Sequence, residues 1–138
     1  MKKKSFKLEI SFLKERAKEF FEEAKGLLKK KRYNLSAFNL EQAIQLWIKY
    51  LIGKKLGDWP KTHYLSELIS ALSKVYKNKK IIKFYQENEI FFENLEDAYF
   101  TSRYFPKKFS ESSLLKLFEK SEEFLKLIKK EIKEDFYG

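Results

Sequence analysis

The stretch from Tyr33 to Gly57, "YNLSAFNLEQAIQLWIKYLIGKKLG", constrains the fold more than any other part of the chain. Leu35, Phe38, Leu40, Ala43, Ile44, Leu46, Trp47, Ile48, Leu51 and Ile52 cover most of a helix's circumference rather than one stripe. A helix that is apolar nearly all round must be surrounded by protein. It is therefore the centre of a helical bundle, or it serves a core on one side and an interface on the other. Asn34 is expected to be its N-cap, and Gly57 its end.

The flanking sequence supplies partners. Four Gly and two Pro in 138 residues are too little punctuation for an all-β fold with many tight turns. The segments between them are rich in Lys, Glu and Leu, which favour helix. From Leu8 to Lys31, residues such as Phe12, Leu13, Ala17, Phe20, Phe21 and Ala24 recur at alternating threes and fours, predicting an amphipathic helix. After "DWPKT", the segment "THYLSELISALSKVYK" predicts a short third helix with Thr62 as N-cap. A fourth is expected from Asn78 or Lys79 unbroken to Tyr104, because Pro106 cannot continue it. Ser110 then caps a fifth, written through "KKEIKED". The expected fold is all-α: one domain over residues 1–138, an up-and-down antiparallel four-helix bundle with a short extra helix.

Composition removes several chemistries. There is no cysteine, hence no disulfide or thiolate site, and His63 is the single histidine. There is no GxGxxG and no P-loop. No metal and no cofactor are expected. Glu93, Glu96 and Asp97 lie within about one helical turn and read as a solvated face. The N-terminus starts like a signal n-region, but Lys7, Glu9, Lys14 and Glu15 interrupt any apolar h-region. No stretch approaches the roughly 20 apolar residues of a membrane span. The expected location is the cytoplasm, with no membrane partner.

Net charge is +10, and residues 1–32 hold 12 Lys/Arg against 5 Glu. Such a basic segment attracts RNA, nucleotides or an acidic protein, or it is a solvated face of a Lys-rich chain.

Three segments taken in order carry a resemblance: "YNLSAFNLEQAIQLWIKYLI" with Tyr33, Ala37, Gln42, Ala43 and Lys49; Thr62–His63; and "AYFTSRYFPKKFS" with Ala98, Tyr99, Arg103 and Tyr104, Phe105 standing before Pro106. Together they resemble the HEPN (higher eukaryotes and prokaryotes nucleotide-binding) domain family over about residues 8–132. The resemblance implies a helical bundle, frequently a homodimer, working with a small nucleotidyltransferase in a toxin–antitoxin-like pair. Many members are metal-independent ribonucleases that use an Arg followed after four to six residues by a His. Here Arg103 matches the arginine, but Lys108, Phe109 and Ser110 fill the histidine's window, and Ser110, Glu111 and Ser112 fill that of a modified tyrosine found in some members. Cleavage through a 2′-hydroxyl needs proton transfer near neutral pH, which suits histidine, whereas Lys108 can only stabilise phosphate charge unless its pKa is strongly lowered.

The candidate ligand residues are therefore Arg103, Tyr104, Lys107, Lys108 and Ser110, with His63 and Asn39 as further polar candidates, and none is assigned a catalytic role. Arg103 fits an anion's two oxygens or caps its own helix end. Ser110 opens a helix whose N-terminus favours anions. Tyr104 stacks on a base or packs in the core. Asn39 and Gln42 serve a ligand, a partner subunit or a local hydrogen-bond network, while His63 makes a structural hydrogen bond at its helix start or acts in catalysis. The leading expectation is a nucleotide- or RNA-binding subunit. The alternatives are a divergent ribonuclease and a helical protein-interaction module.

Overall fold

The computed structural model describes residues 2–104, 106 and 108–138, with side chains at all of these except 2–9 and Arg103. The described residues form six helices: α1 (Lys2–Lys29), α2 (Tyr33–Leu56), α3 (Leu65–Val75), α4 (Lys79–Glu87), α5 (Glu89–Tyr104) and α6 (Glu111–Ile132). The fold is all-α. Helix α2 packs against α1, α3, α5 and α6, the α1–α2 pairing being the most extensive. Leu40, Ala43, Ile44, Trp47, Ile48, Leu51 and Ile52 are all buried, as a helix apolar round its circumference requires. Gly53 lets α1 approach closely, since a Cβ there would lie 3.3 Å from both Ile10 and Trp59.

Several helix ends follow the sequence. Gly57 closes α2 in the left-handed conformation, at φ 81°, with its N–H on the Gly53 carbonyl. Asn78 accepts from Lys80 N at the start of α4, and Ser110 accepts from Ser113 N at the start of α6.

Five expectations are corrected. The fourth helix is not continuous: it breaks at Asn88, whose Nδ2 donates to the Phe84 carbonyl freed by the break (2.9 Å). The break lets α4 lie on α3 and α6 while α5 runs along α2. Asn34 is not the N-cap of α2. Arg32 holds that position without a capping side chain, and Asn34 sits inside the helix, accepting from Phe109 N at 2.8 Å. Thr62 is not the N-cap of α3 either. Tyr64 occupies that place, Thr62 Oγ1 accepts from Tyr64 N, and Leu65 N donates to Glu96 Oε1 of α5 at 2.6 Å. Glu96, expected on a solvated face, is thus a tertiary cap. Finally, the last helix stops at Ile132, with Lys133 left-handed at φ 65°.

That early stop has a packing reason. The tail turns back and inserts Phe136 between Phe21 of α1 and Trp47 of α2, meeting their rings edge-on at 5.4 and 5.1 Å. Tyr137 Oη donates to Glu122 at 2.5 Å, and Lys54 pairs with Glu134. Phe136 is 2 % exposed, so it belongs to the core. Phe136→Ala is expected to cost about 3–5 kcal/mol in urea denaturation at unchanged m. A loss below about 1 kcal/mol would show that the tail is not part of the core.

Candidate anion-binding site

The connection from α5 to α6 is built from short-range sequence signals and fixed by long-range bonds. Pro106 stops α5 and Ser110 starts α6. Between them, Phe109 packs against the core and its N–H donates to Asn34 Oδ1 of α2. One residue into α6, Glu111 accepts from Tyr33 Oη at 3.4 Å. The connection is therefore tied twice to the first turn of α2, and exposed Lys108 stands directly before the first tie.

A cleft of about 610 Å³ opens between α5 and the first turns of α6. Its apolar floor is Ile90, Phe91, Phe109 and Leu117, and Asn94 and Ser113 add hydrogen-bonding groups. Lys108, Lys116 and Lys120 line it against one carboxylate, Glu119. Ser113, Lys116 and Lys120 fall three, then four residues apart, which sets them on one face of α6. Lys120 also pairs with Glu123 at 3.1 Å, so of the three lysines of this cleft Lys108 and Lys116 have no ion pair among the described residues. An apolar floor with a few cations at its rim suits a flat ring carrying a phosphate. A second cleft, of about 390 Å³, lies at the α1–α2 turn and shares Lys108 and Phe109 with the first.

The residues picked from sequence do not all converge. Lys108 lines both clefts. Ser110 caps α6 and orders the turn that carries Ser113, donating to Ser113 Oγ at 2.9 Å. Tyr104, 69 % exposed, ends α5. Arg103 sits in the last turn of α5, but its side chain, and all of Lys107, lie outside the described residues. Asn39 Nδ2 donates to Leu35 O one turn back (2.7 Å), a bond within its own helix. Neither Asn39 nor His63 lines either of these two clefts.

His63 packs elsewhere on α5. Its ring stacks on Tyr99 at 4.9 Å and 7°, lies 4.5 Å from Tyr64, and meets Phe100 edge-on. Its Nε2 is buried and has no hydrogen-bond partner among the described residues. Position 103 follows Tyr99 by one helical turn, so the fold brings the single histidine to the stretch of helix that carries Arg103. Sequence alone does not link these segments, because their contact depends on how the α2–α3 connection packs on α5.

Two groups of polar residues were not found from sequence. Lys116 and Lys120 were legible in principle, since their spacing from Ser113 places them together. The second is Glu41, fully buried in α2. Its oxygens accept from Gln42 Nε2 (2.7 Å) and Gln45 Nε2 (2.9 Å), and Lys49 Nζ donates to Gln45 Oε1 (3.0 Å). The signal was an acid inside a helix otherwise apolar all round. Gln42 thereby belongs to a local buried network.

Burial pushes the Glu41 carboxyl up to about 7, against the pull of the two amides, and nearby Glu96 adds to the rise. Burial also lowers the Lys49 ammonium, while Glu41 opposes that shift. A carboxyl raised on folding holds its proton longer in the folded state. Its stabilisation is complete below the unfolded pKa and is lost as pH rises through about 7. The difference between wild type and Glu41→Gln should therefore grow between about pH 4.5 and 7 in favour of the variant, by about 3 kcal/mol at the top of the window. Denaturant titrations across that range measure it, and parallel pH profiles would contradict the raised value.

No helix among the described residues is long and apolar enough to cross a membrane. No curated protein and no solved structure matches the chain. The family model for the HEPN domain matches residues 10–132, spanning all six helices and both ties of the α5–α6 connection. The chain belongs to the HEPN domain family, which supports a nucleotide- or RNA-related function in general terms.

Proposed function

We propose that the protein is a nucleotide- or RNA-binding subunit whose anion site is the cleft between α5 and α6. The observation that carries this reading is the convergence of Lys108, Lys116 and Lys120 around an apolar, partly aromatic floor. The floor receives a base and the ammonium groups receive phosphate. Ser110 serves by ordering the helix start, and Tyr104, at the end of α5, stands on the chain leading into the connection, where Arg103 and Lys107 remain candidates from the sequence alone. The family resemblance adds two partners: a second copy of this chain and a small nucleotidyltransferase of a toxin–antitoxin-like pair. Light scattering, and a pull-down with the product of a neighbouring nucleotidyltransferase reading frame, test these partners.

Lys116→Glu combined with Lys120→Glu should weaken mononucleotide binding tenfold or more in calorimetric titration, about 1.4 kcal/mol. Both positions are solvent-facing on α6, so the helical circular dichroism should be unchanged. Unaltered affinity in the folded variant would reject the cleft as the site.

A second reading, a divergent ribonuclease, draws support from one observation: the buried His63 Nε2, without a hydrogen-bond partner among the described residues, beside the α5 segment that carries Arg103. The subunit reading expects labelled RNA to survive incubation with the protein and a chelator. Cleavage that disappears in both His63→Ala and Arg103→Ala would instead establish the enzyme.

A further inference from the structure

The two clefts share the Lys108–Phe109 ridge, and that ridge is held in place by the Phe109 N–H on Asn34 Oδ1. Beyond it, the α1–α2 turn presents four consecutive exposed cations, Lys29, Lys30, Lys31 and Arg32. Lys31 and Arg32 line the second cleft, with no carboxylate among its lining residues. Tyr33 and Leu35 give it an apolar wall, Leu35 being 46 % exposed. The nearby acid, Glu111, accepts the hydrogen bond of Tyr33 Oη. Each cleft alone falls in the size range of a small-ligand site, roughly 300–1,000 Å³. Two such clefts that meet at one lysine and one aromatic ring match a chain of repeating base and phosphate better than a single nucleotide.

We propose that the α1–α2 turn is the second half of a bipartite site for single-stranded RNA. The strand crosses the Lys108–Phe109 ridge from the α5–α6 cleft and lays its phosphates along Lys31 and Arg32. This rests on the reading of the α5–α6 cleft as a nucleotide site. It assigns a role to the basic end of α1, and it predicts a ligand longer than one nucleotide. Backbone bonds from Lys31 N to Leu28 O (3.0 Å) and from Arg32 N to Leu27 O (2.9 Å) close the turn that carries these cations.

The backbone supplies unusually clean test variants. Lys31 is left-handed at φ 61°, a conformation glycine adopts without strain. Arg32 holds the N-cap position of α2 without a capping side chain, where serine is favoured. Lys31→Gly with Arg32→Ser therefore removes two charges while favouring the same backbone, and thermal denaturation should show stability held or raised. Fluorescence titration would compare adenosine monophosphate with a single-stranded oligoribonucleotide of about eight residues, within the 4–16 nucleotides common for single-strand sites. The expected result is oligonucleotide binding weakened about tenfold, with the slope of log affinity against log salt reduced by about 1.4, and mononucleotide binding unchanged. An unchanged oligonucleotide affinity and slope would overturn the bipartite site while leaving the α5–α6 cleft intact. Equal losses for both ligands would also overturn it, since the turn would then act on the first cleft rather than on a longer strand. If Lys116→Glu with Lys120→Glu leaves mononucleotide binding intact, the underlying reading fails, and the bipartite site fails with it.

Discussion

The burial of α2 is the constraint on which the rest of the molecule depends. Trp47, Ile48, Leu51 and Ile52 are all fully enclosed. Enclosing them takes α1, α3, α5, α6 and the C-terminal Phe136. Each such side chain contributes about 1.5–3 kcal/mol when removed from water, so no neighbouring element is optional. The same requirement fixes the surface proposed to bind the ligand. Because α2 is central, its first turn lies under the α5–α6 connection, where Asn34 and Tyr33 hold Phe109 and Glu111. The proposed anion site thus lies where the core helix emerges at the end of the bundle.

Electrostatics divides the polar groups into two kinds. Lys108, Lys116, Lys31 and Arg32 sit at the surface and lose little solvation. Their attraction for a polyanion is additive in character and screened by salt. Glu41, Gln42, Gln45 and Lys49 form an inward chain along α2 that lines neither cleft. Burial of an acid without a full counter-charge costs stability. Its proton therefore couples the stability of the central helix to pH and does not take part in ligand contact.

Much of the fold was legible because its signals are local. Gly57, Asn78 and Ser110 end or start helices through their own backbone or side-chain preferences, and each acts where the pattern places it. The misses share a different cause. Asn34 and Thr62 are good capping residues whose bonds were taken by other partners, Phe109 N and Tyr64 N. Glu96 caps α3 from 31 positions away. The break at Asn88 and the early end of α6 serve packing against distant elements, which short-range patterning does not encode. The site shows the same division. Lys108 was found by its neighbourhood in sequence, whereas Lys31, Arg32, Lys116 and Lys120 join it only through the tertiary ties of the α5–α6 connection.

The central claim is that a nucleic-acid ligand lies across the Lys108–Phe109 ridge. Amide chemical-shift mapping with a short single-stranded RNA tests it most directly. The account predicts that shifts concentrate at Lys31 to Leu35, Lys108 to Ser113, and Lys116 to Lys120, with the Glu41–Lys49 stretch of α2 unmoved. Shifts centred instead on His63, Tyr64 and Tyr99, with the ridge unperturbed, would contradict it.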